Sequence, residues 1–183
     1  MRGSVIAILF FAAIVADPVA AEPSPAAKPS RDEILEAARA MMTAIRYCTL
    51  VTLDASGRPN ARILDPFPPE ESMAVWMATT PKSRKVGEIR RDPRVTLVYF
   101  DPGKPEQGYV ALTGRARLVD DPAEKKKRWK EGWEAFWPDR DASFLLIQVT
   151  PERVEILDPR HGIVNDAVTW APTSVELPPK EVP

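Results

Sequence analysis

Arg62 closes a short run of alternating residues, and about twenty positions later Thr79, Thr80, Ser83, Arg84 and Lys85 crowd the start of a segment with helical spacing. A phosphate group calls for this combination. It is met by hydroxyl donors, by backbone N–H groups at the positive end of a helix, and by Arg or Lys to neutralise two negative charges. The same residues also read as a solvated polar turn whose threonines and serine cap a helix, and composition alone leaves both readings open. Other chemistries fall away sooner. One His and one Cys cannot assemble a Cys/His zinc site or an intrachain disulfide. His161, in Asp158-Pro-Arg-His-Gly162, has no Ser or Cys nucleophile tied to it by sequence and reads as a surface-loop residue. Asp65, directly before Pro66, reads as a turn residue rather than a general acid. Cys48 lies in an apolar run and reads as a buried, inert thiol. Lys+Arg number 25 against 26 Asp+Glu, so the net charge of −1 lacks the basic excess of a nucleic-acid-binding domain. Neither a dinucleotide-binding glycine fingerprint nor a P-loop occurs.

The elements that must carry these residues follow from periodicity. Ser30 and Glu33 form a capping box, and Ile34, Leu35, Ala38, Met41, Met42 and Ile45 recur at helical spacing, predicting a helix over 31–45. The period then changes to two. Residues 48–53 read as a strand, 54–57 as a turn and 59–64 as the returning strand of a hairpin. A proline-rich loop leads to a strand over 73–78. Thr80 then offers an N-cap and Pro81 a first helical position, for a short helix ending before Asp92-Pro93. Strands are predicted over 95–100 and 109–119, with Gly114 placed for a bend or bulge. A helix is expected from Asp121-Pro122 to about Phe136. On it Trp129, Trp133, Phe136 and Trp137 share one apolar face and Lys125 to Arg128 form a solvated one. Two last strands, 143–149 and 153–157, flank Thr150-Pro151. Seven or so short, mostly hairpin-connected strands with helices outside them imply a mainly β fold, a small antiparallel barrel.

The ends read differently. Arg2, the apolar stretch 5–16 and the small residues Val19-Ala20-Ala21 form a secretory signal peptide over 1–21, cleaved near Ala21. Its apolar stretch is too short to span a bilayer, so no stable membrane anchor is expected after cleavage. The expected location is outside the cytoplasm, periplasmic or secreted. A Pro/Ala linker over 22–29 and a Pro-rich tail over 171–183 leave 30–170 for one folded domain.

Four segments together resemble one family: Ala61-Arg-Ile-Leu-Asp-Pro66, Trp76-Met-Ala-Thr-Thr-Pro-Lys-Ser-Arg-Lys-Val-Gly-Glu-Ile89, Asp92-Pro-Arg-Val-Thr-Leu97 and Val110-Ala-Leu-Thr-Gly-Arg-Ala-Arg-Leu118. In order and spacing they are similar to the pyridoxamine 5′-phosphate oxidase-like flavoproteins with the FMN-binding split barrel. The likeness covers about residues 31 to 158. Trp129-Lys-Glu-Gly-Trp133, Phe136-Trp-Pro138 and the closing Thr150-Pro-Glu-Arg-Val-Glu155 resemble the general stress protein group within it. The resemblance implies a Greek-key barrel that forms a homodimer with FMN at the interface. Arg62, Ser83, Arg84 and Lys85 would hold the FMN phosphate, and Ile63 and Leu64 would present backbone groups to the ring. Thr79 or Thr80 would bond its polar edge or ribityl chain, and Gln107 or Tyr109 of a second subunit would complete the site. Departures also count. Phe67 stands where true pyridoxamine phosphate oxidases carry a Lys, no Arg-Leu-x-Pro type segment follows Leu157, and Ala78 replaces an aromatic residue. The resemblance therefore implies FMN-dependent hydride or electron transfer to or from a small substrate or donor other than the B6 vitamer, with no catalytic side chain named. The alternatives are a non-catalytic flavin, haem or tetrapyrrole binder, or a cofactor-free, stress-related dimer.

Overall fold

The computed structural model describes residues 28–178; the leader and most of the linker lie outside the described residues, as does the end of the tail. The first helix, α1 (Arg31–Ala44), starts as its capping box dictates: the Ser30 side chain accepts from the Glu33 N–H while Glu33 reaches back to the Ser30 backbone. Its apolar stripe, Ile34, Leu35, Ala37, Ala38, Met41 and Met42, is buried against the sheet. Seven antiparallel strands follow: β1 (Cys48–Leu53), β2 (Pro59–Leu64), β3 (Val75–Thr79), β4 (Arg94–Phe100), β5 (Tyr109–Val119), β6 (Leu145–Leu157) and β7 (Thr173–Glu176). They run in the order β2-β1-β4-β5-β6-β3, with β7 also on β6. The sheet curls into a half-barrel, and its two end strands, β2 and β3, are not paired with each other; one backbone bond, Phe67 N–H to the Trp76 carbonyl at 2.8 Å, joins the segments beside them. A mainly antiparallel split barrel with few helices is the fold that the sequence implied.

Curvature has a local origin. The β5–β6 register slips between Thr113 and Gly114, and a side chain at Gly114 would place its Cβ 2.2 Å from the Thr150 carbonyl oxygen. Only glycine allows the two backbones to approach this closely. Residues 143–157 differ from the two strands expected, because β6 runs unbroken through Thr150-Pro151. Its first half pairs with β3 up to Val149 and its second half pairs with β7 from Arg153. Pro151, which has no N–H to donate, falls in the gap between those two partners, where the missing donor costs nothing. β7 itself lies in the segment read from composition as tail; Val175 is buried against the core, so the fold extends past Trp170.

Two helices also differ from expectation. The helix before β4, α2, spans Arg84–Arg91 with Ser83, not Thr80, at its N-cap, and 80–83 is a turn closed by a Ser83 N–H bond to the Thr80 carbonyl. The helix expected to run to Phe136 stops early: α3 is Pro122–Lys127, followed by a single 3-10 turn at Trp133–Ala135 and a short α4 (Arg140–Ser143). Arg128, at φ −110° and ψ 48°, ends α3, and Gly132, at φ 82°, redirects the chain into the 3-10 turn. Folded back in this way, Trp129, Trp133 and Trp137 pack with Trp76, Phe67 and Phe144 in a second apolar cluster, while Phe136 stays 75% exposed. The basic run is not uniformly solvated either, since Lys125 and Arg128 are buried, Lys125 against Asp120.

Candidate functional site

β2 is an edge strand whose side chains alternate. Asn60, Arg62 and Leu64 turn inward, whereas Ala61 and Ile63 face out, Ile63 being 64% exposed. Arg62 therefore points under the sheet toward α2, and there it meets Glu88, a residue that the sequence reading did not single out. The Arg62 guanidinium donates to Glu88 Oε2 at 2.8 Å and to the Thr52 hydroxyl at 2.5 Å. Thr52 in turn donates to Glu88 Oε2 at 2.5 Å, and Asn60 Nδ2 donates to Oε1 at 2.9 Å. Arg84, one helical turn before Glu88, adds an ion pair at 3.2 Å. Two spacings in the sequence carry this arrangement: Asn60 and Arg62 share a strand face at i, i+2, and Arg84 and Glu88 share a helix face at i, i+4. Burial pushes the Glu88 carboxyl up, but the Thr52 and Arg62 hydrogen bonds and the charges of Arg62 and Arg84 hold it below the usual value.

Beside this carboxylate stands a second group. Thr79, the last residue of β3, shares a hydrogen bond with the Ser83 hydroxyl at 2.9 Å and accepts from Lys85 Nζ at 3.0 Å. The Ser83 hydroxyl does not cap its own helix. Lys85 is half-buried, and desolvation followed by the charge of Arg62 pushes its ammonium below the usual lysine value, against a partial pull from Glu88. Arg62, Thr79, Ser83, Arg84 and Lys85 are thus brought to one place, where β2 and the end of β3 meet the start of α2. Thr80 is exposed; its carbonyl accepts from the Ser83 N–H, but its side chain is not part of the cluster. Leu64 packs on the core, and the outward Ile63 leaves its backbone on a free strand edge. Gln107, in a 3-10 turn at Pro105–Gln107, and Tyr109, on β5, are separated from β2 by β1 and β4, so within one chain they do not join the cluster.

Three charges, Arg62, Arg84 and Lys85, face one carboxylate, which leaves a surplus of about two positive charges, the complement of a phosphate monoester dianion. The donor set can hold such a group. Lys85 and Arg84 have donors to spare, two hydroxyls stand by, and the half-desolvated ammonium gains most from a counter-charge.

Other residues that could do chemistry lie outside this cluster. Burial pushes the Cys48 thiol up to about 12, consistent with an inert core residue. His161 is largely exposed, and its Nδ1 lies 2.7 Å from Oδ2 of the buried Asp158. Asp65 is more than a turn residue, since it pairs with both Arg46 and Lys130. No cluster of metal-ligating side chains occurs among the described residues.

Solved structures with this fold are numerous. The chain is similar to general stress protein 26 from Bacillus anthracis str. Sterne, at 20% identity and a TM-score of 0.63, covering 79% of this chain and 98% of that one. It is similar to a pyridoxamine 5′-phosphate oxidase-related, FMN-binding protein from Nostoc punctiforme at 21% identity and a TM-score of 0.52, over 84% and 99%. A heme-binding protein from Mycobacterium smegmatis matches at 18% identity and a TM-score of 0.57, over 82% of this chain and 59% of that one. At these identities the likeness establishes the fold. No curated protein matches the chain. The sequence model described as pyridoxamine 5′-phosphate oxidase matches residues 34–158, well over half the chain, and with the split barrel and the clustered Arg62, Ser83 and Lys85 in place, the chain belongs to that family.

Proposed function

We propose that the protein is an exported FMN-binding flavoprotein that moves hydride or electrons between its flavin and a small substrate or donor. The observation that carries this reading is the surplus of two positive charges around Thr79, Ser83 and Lys85, beside the unpaired end strands β2 and β3. Arg62, Ser83, Arg84 and Lys85 would hold the phosphate, Thr79 the ribityl chain or polar edge, and the Ile63 and Leu64 backbone the ring. FMN when bound supplies the redox chemistry, and the chain's own residues bind and orient it. Lys85 and Arg62 fix the phosphate end, and the Thr52–Glu88–Asn60 network holds the Arg62 fork in place by hydrogen bonds on both of its terminal nitrogens or their acceptor.

A homodimer is part of the same reading. Tyr47 just before β1, Ile63 on β2 and Phe100 on β4 are exposed, and Gln107 and Tyr109 lie too many strands from Arg62 to serve the same site within one chain. A second copy would bury these apolar side chains and deliver Gln107 and Tyr109. Export rests on the leader over 1–21, which lies outside the described residues.

The test uses ligands that differ only in the phosphate. Arg62→Ala combined with Lys85→Ala should weaken FMN binding on the order of 100-fold, the loss of about two charge-assisted hydrogen bonds, and leave riboflavin affinity nearly unchanged. Equal losses for both ligands, or a wild-type protein that FMN does not bind, would overturn the assignment.

A further inference from the structure

On the far side of Leu64 the chain builds a second charged site that the phosphate reading does not use. We propose that it binds a small organic monoanion, a carboxylate on a compact apolar body, through Lys130 and Arg46. Asp65 is the hub. Lys130 Nζ donates to Asp65 Oδ1 at 3.1 Å and to the Pro66 carbonyl at 3.2 Å, and Arg46 Nη2 donates to Asp65 Oδ2 at 3.4 Å. The Lys130 ammonium also lies 4.7 Å from the centre of the Phe67 ring and 5.5 Å from that of Trp133. Arg46, Asp65, Pro66, Phe67 and Lys130 border a cavity of about 350 Å³ whose other walls include Met42, Ile45 and Pro68.

Charge and shape choose the ligand. Two cations face a single carboxylate, which leaves one positive charge at the polar end of an apolar cavity. One further negative charge balances it, whereas a phosphate dianion would overshoot. An ammonium has three donors and a guanidinium five, so each cation keeps N–H groups for a ligand after serving Asp65. Asp65 and Pro66 hold Lys130 in position, while the Phe67 and Trp133 rings stabilise its charge and the Phe67 ring presents a flat apolar surface to the cavity. A cavity with a few convergent polar groups in apolar walls has the usual make-up of a small-molecule site. No single motif in the sequence announces it, because Arg46 follows α1, Asp65 follows β2 and Lys130 follows α3.

Benzoate tests the site, with benzamide as its neutral counterpart and inorganic phosphate as a competitor, by calorimetric titration of the full chain without added flavin. Benzoate should bind saturably and benzamide at least about tenfold more weakly. Lys130→Gln and Arg46→Gln should each weaken benzoate by about tenfold, with Lys130→Arg retaining most of the affinity. Thermal melting of each variant separates loss of the site from loss of the fold, and Lys130→Arg with Arg46→Gln carries the test should Lys130→Gln not fold. Phosphate, drawn to the Arg62–Lys85 cluster, should leave benzoate affinity unchanged. Absence of saturable benzoate binding, equal affinity for benzamide, unchanged affinity in both charge-removing variants, or displacement by phosphate would each overturn the proposal. None of these results depends on whether FMN binds.

Discussion

Around Glu88 the cations converge on one buried carboxylate, whereas around Trp76 and Phe67 they lie on aromatic rings and face carboxylates that reach solvent. In the first region Arg62 and Glu88 are both largely withdrawn from water and share hydroxyl and amide partners. In the second, the Arg128 guanidinium sits 3.6 Å from the centre of the Trp76 ring and pairs with Glu70 at 2.6 Å and with Glu124, both carboxylates being partly exposed. The two arrangements fail differently. Removing the carboxylate from the first strands a buried cation, and removing the cation from the second leaves acids that water can rehydrate.

Glu88→Ala should therefore be the most damaging single change, costing about 3 kcal/mol in chemical denaturation because Arg62 is left unpaired. The pH dependence checks the cause. The Glu88 carboxyl is held below its ordinary 4.5 in the folded state, so its contribution is fully present above that pH and disappears as pH falls through the lowered folded value. Glu88→Ala should lose that part of the acid dependence. Arg128→Ala should cost less, about 2 kcal/mol, through lost packing on Trp76 together with the lost ion pairs. A larger loss from Arg128→Ala than from Glu88→Ala would mean that the ring-stacked cation, and not the buried carboxylate, anchors this half of the molecule. Arg84→Ala should matter least, under about 0.5 kcal/mol, because its side chain is 69% exposed and its pair with Glu88 is largely screened. If it instead matches Glu88→Ala, the network closes around Arg84 and the ranking of its members is wrong.

The same contrast explains what could be read from the sequence. Thr79, Ser83, Arg84 and Lys85 are close neighbours at a strand end and a helix start, so their convergence on one another is local, whereas the approach of Arg62 depends on how β2 lies over α2. Glu88 was legible only as the i+4 partner of Arg84; its bonds to Thr52 and Asn60 depend on how β1 and β2 lie over α2. The aromatic region depends on tertiary structure throughout. The tryptophans do converge, as their spacing suggested, yet not on one helix, because Gly132 redirects the chain and their contacts are with Phe67, Trp76 and Phe144 from distant strands. Strands 48–53 and 59–64 match the sequence expectation to the residue because period-two alternation and the Asp54-Ala-Ser-Gly57 turn specify a hairpin locally. The single strand β6 was read as two, because proline usually ends a strand unless, as here, its partners change at that residue.

That change of partner bears on where the chain can be shortened. The residues matched by the family end at 158, and the strand that covers the second half of β6, Thr173–Glu176, comes after them. A protein cut at Asp158 would keep the whole family signature and still expose the outer backbone donors and acceptors of 153–156, on a strand whose Val154 and Ile156 are core residues. An uncovered edge of that kind is a template for strand-to-strand polymerisation. The short segment that composition marks as tail therefore closes one edge of the sheet that the family-matched residues leave open.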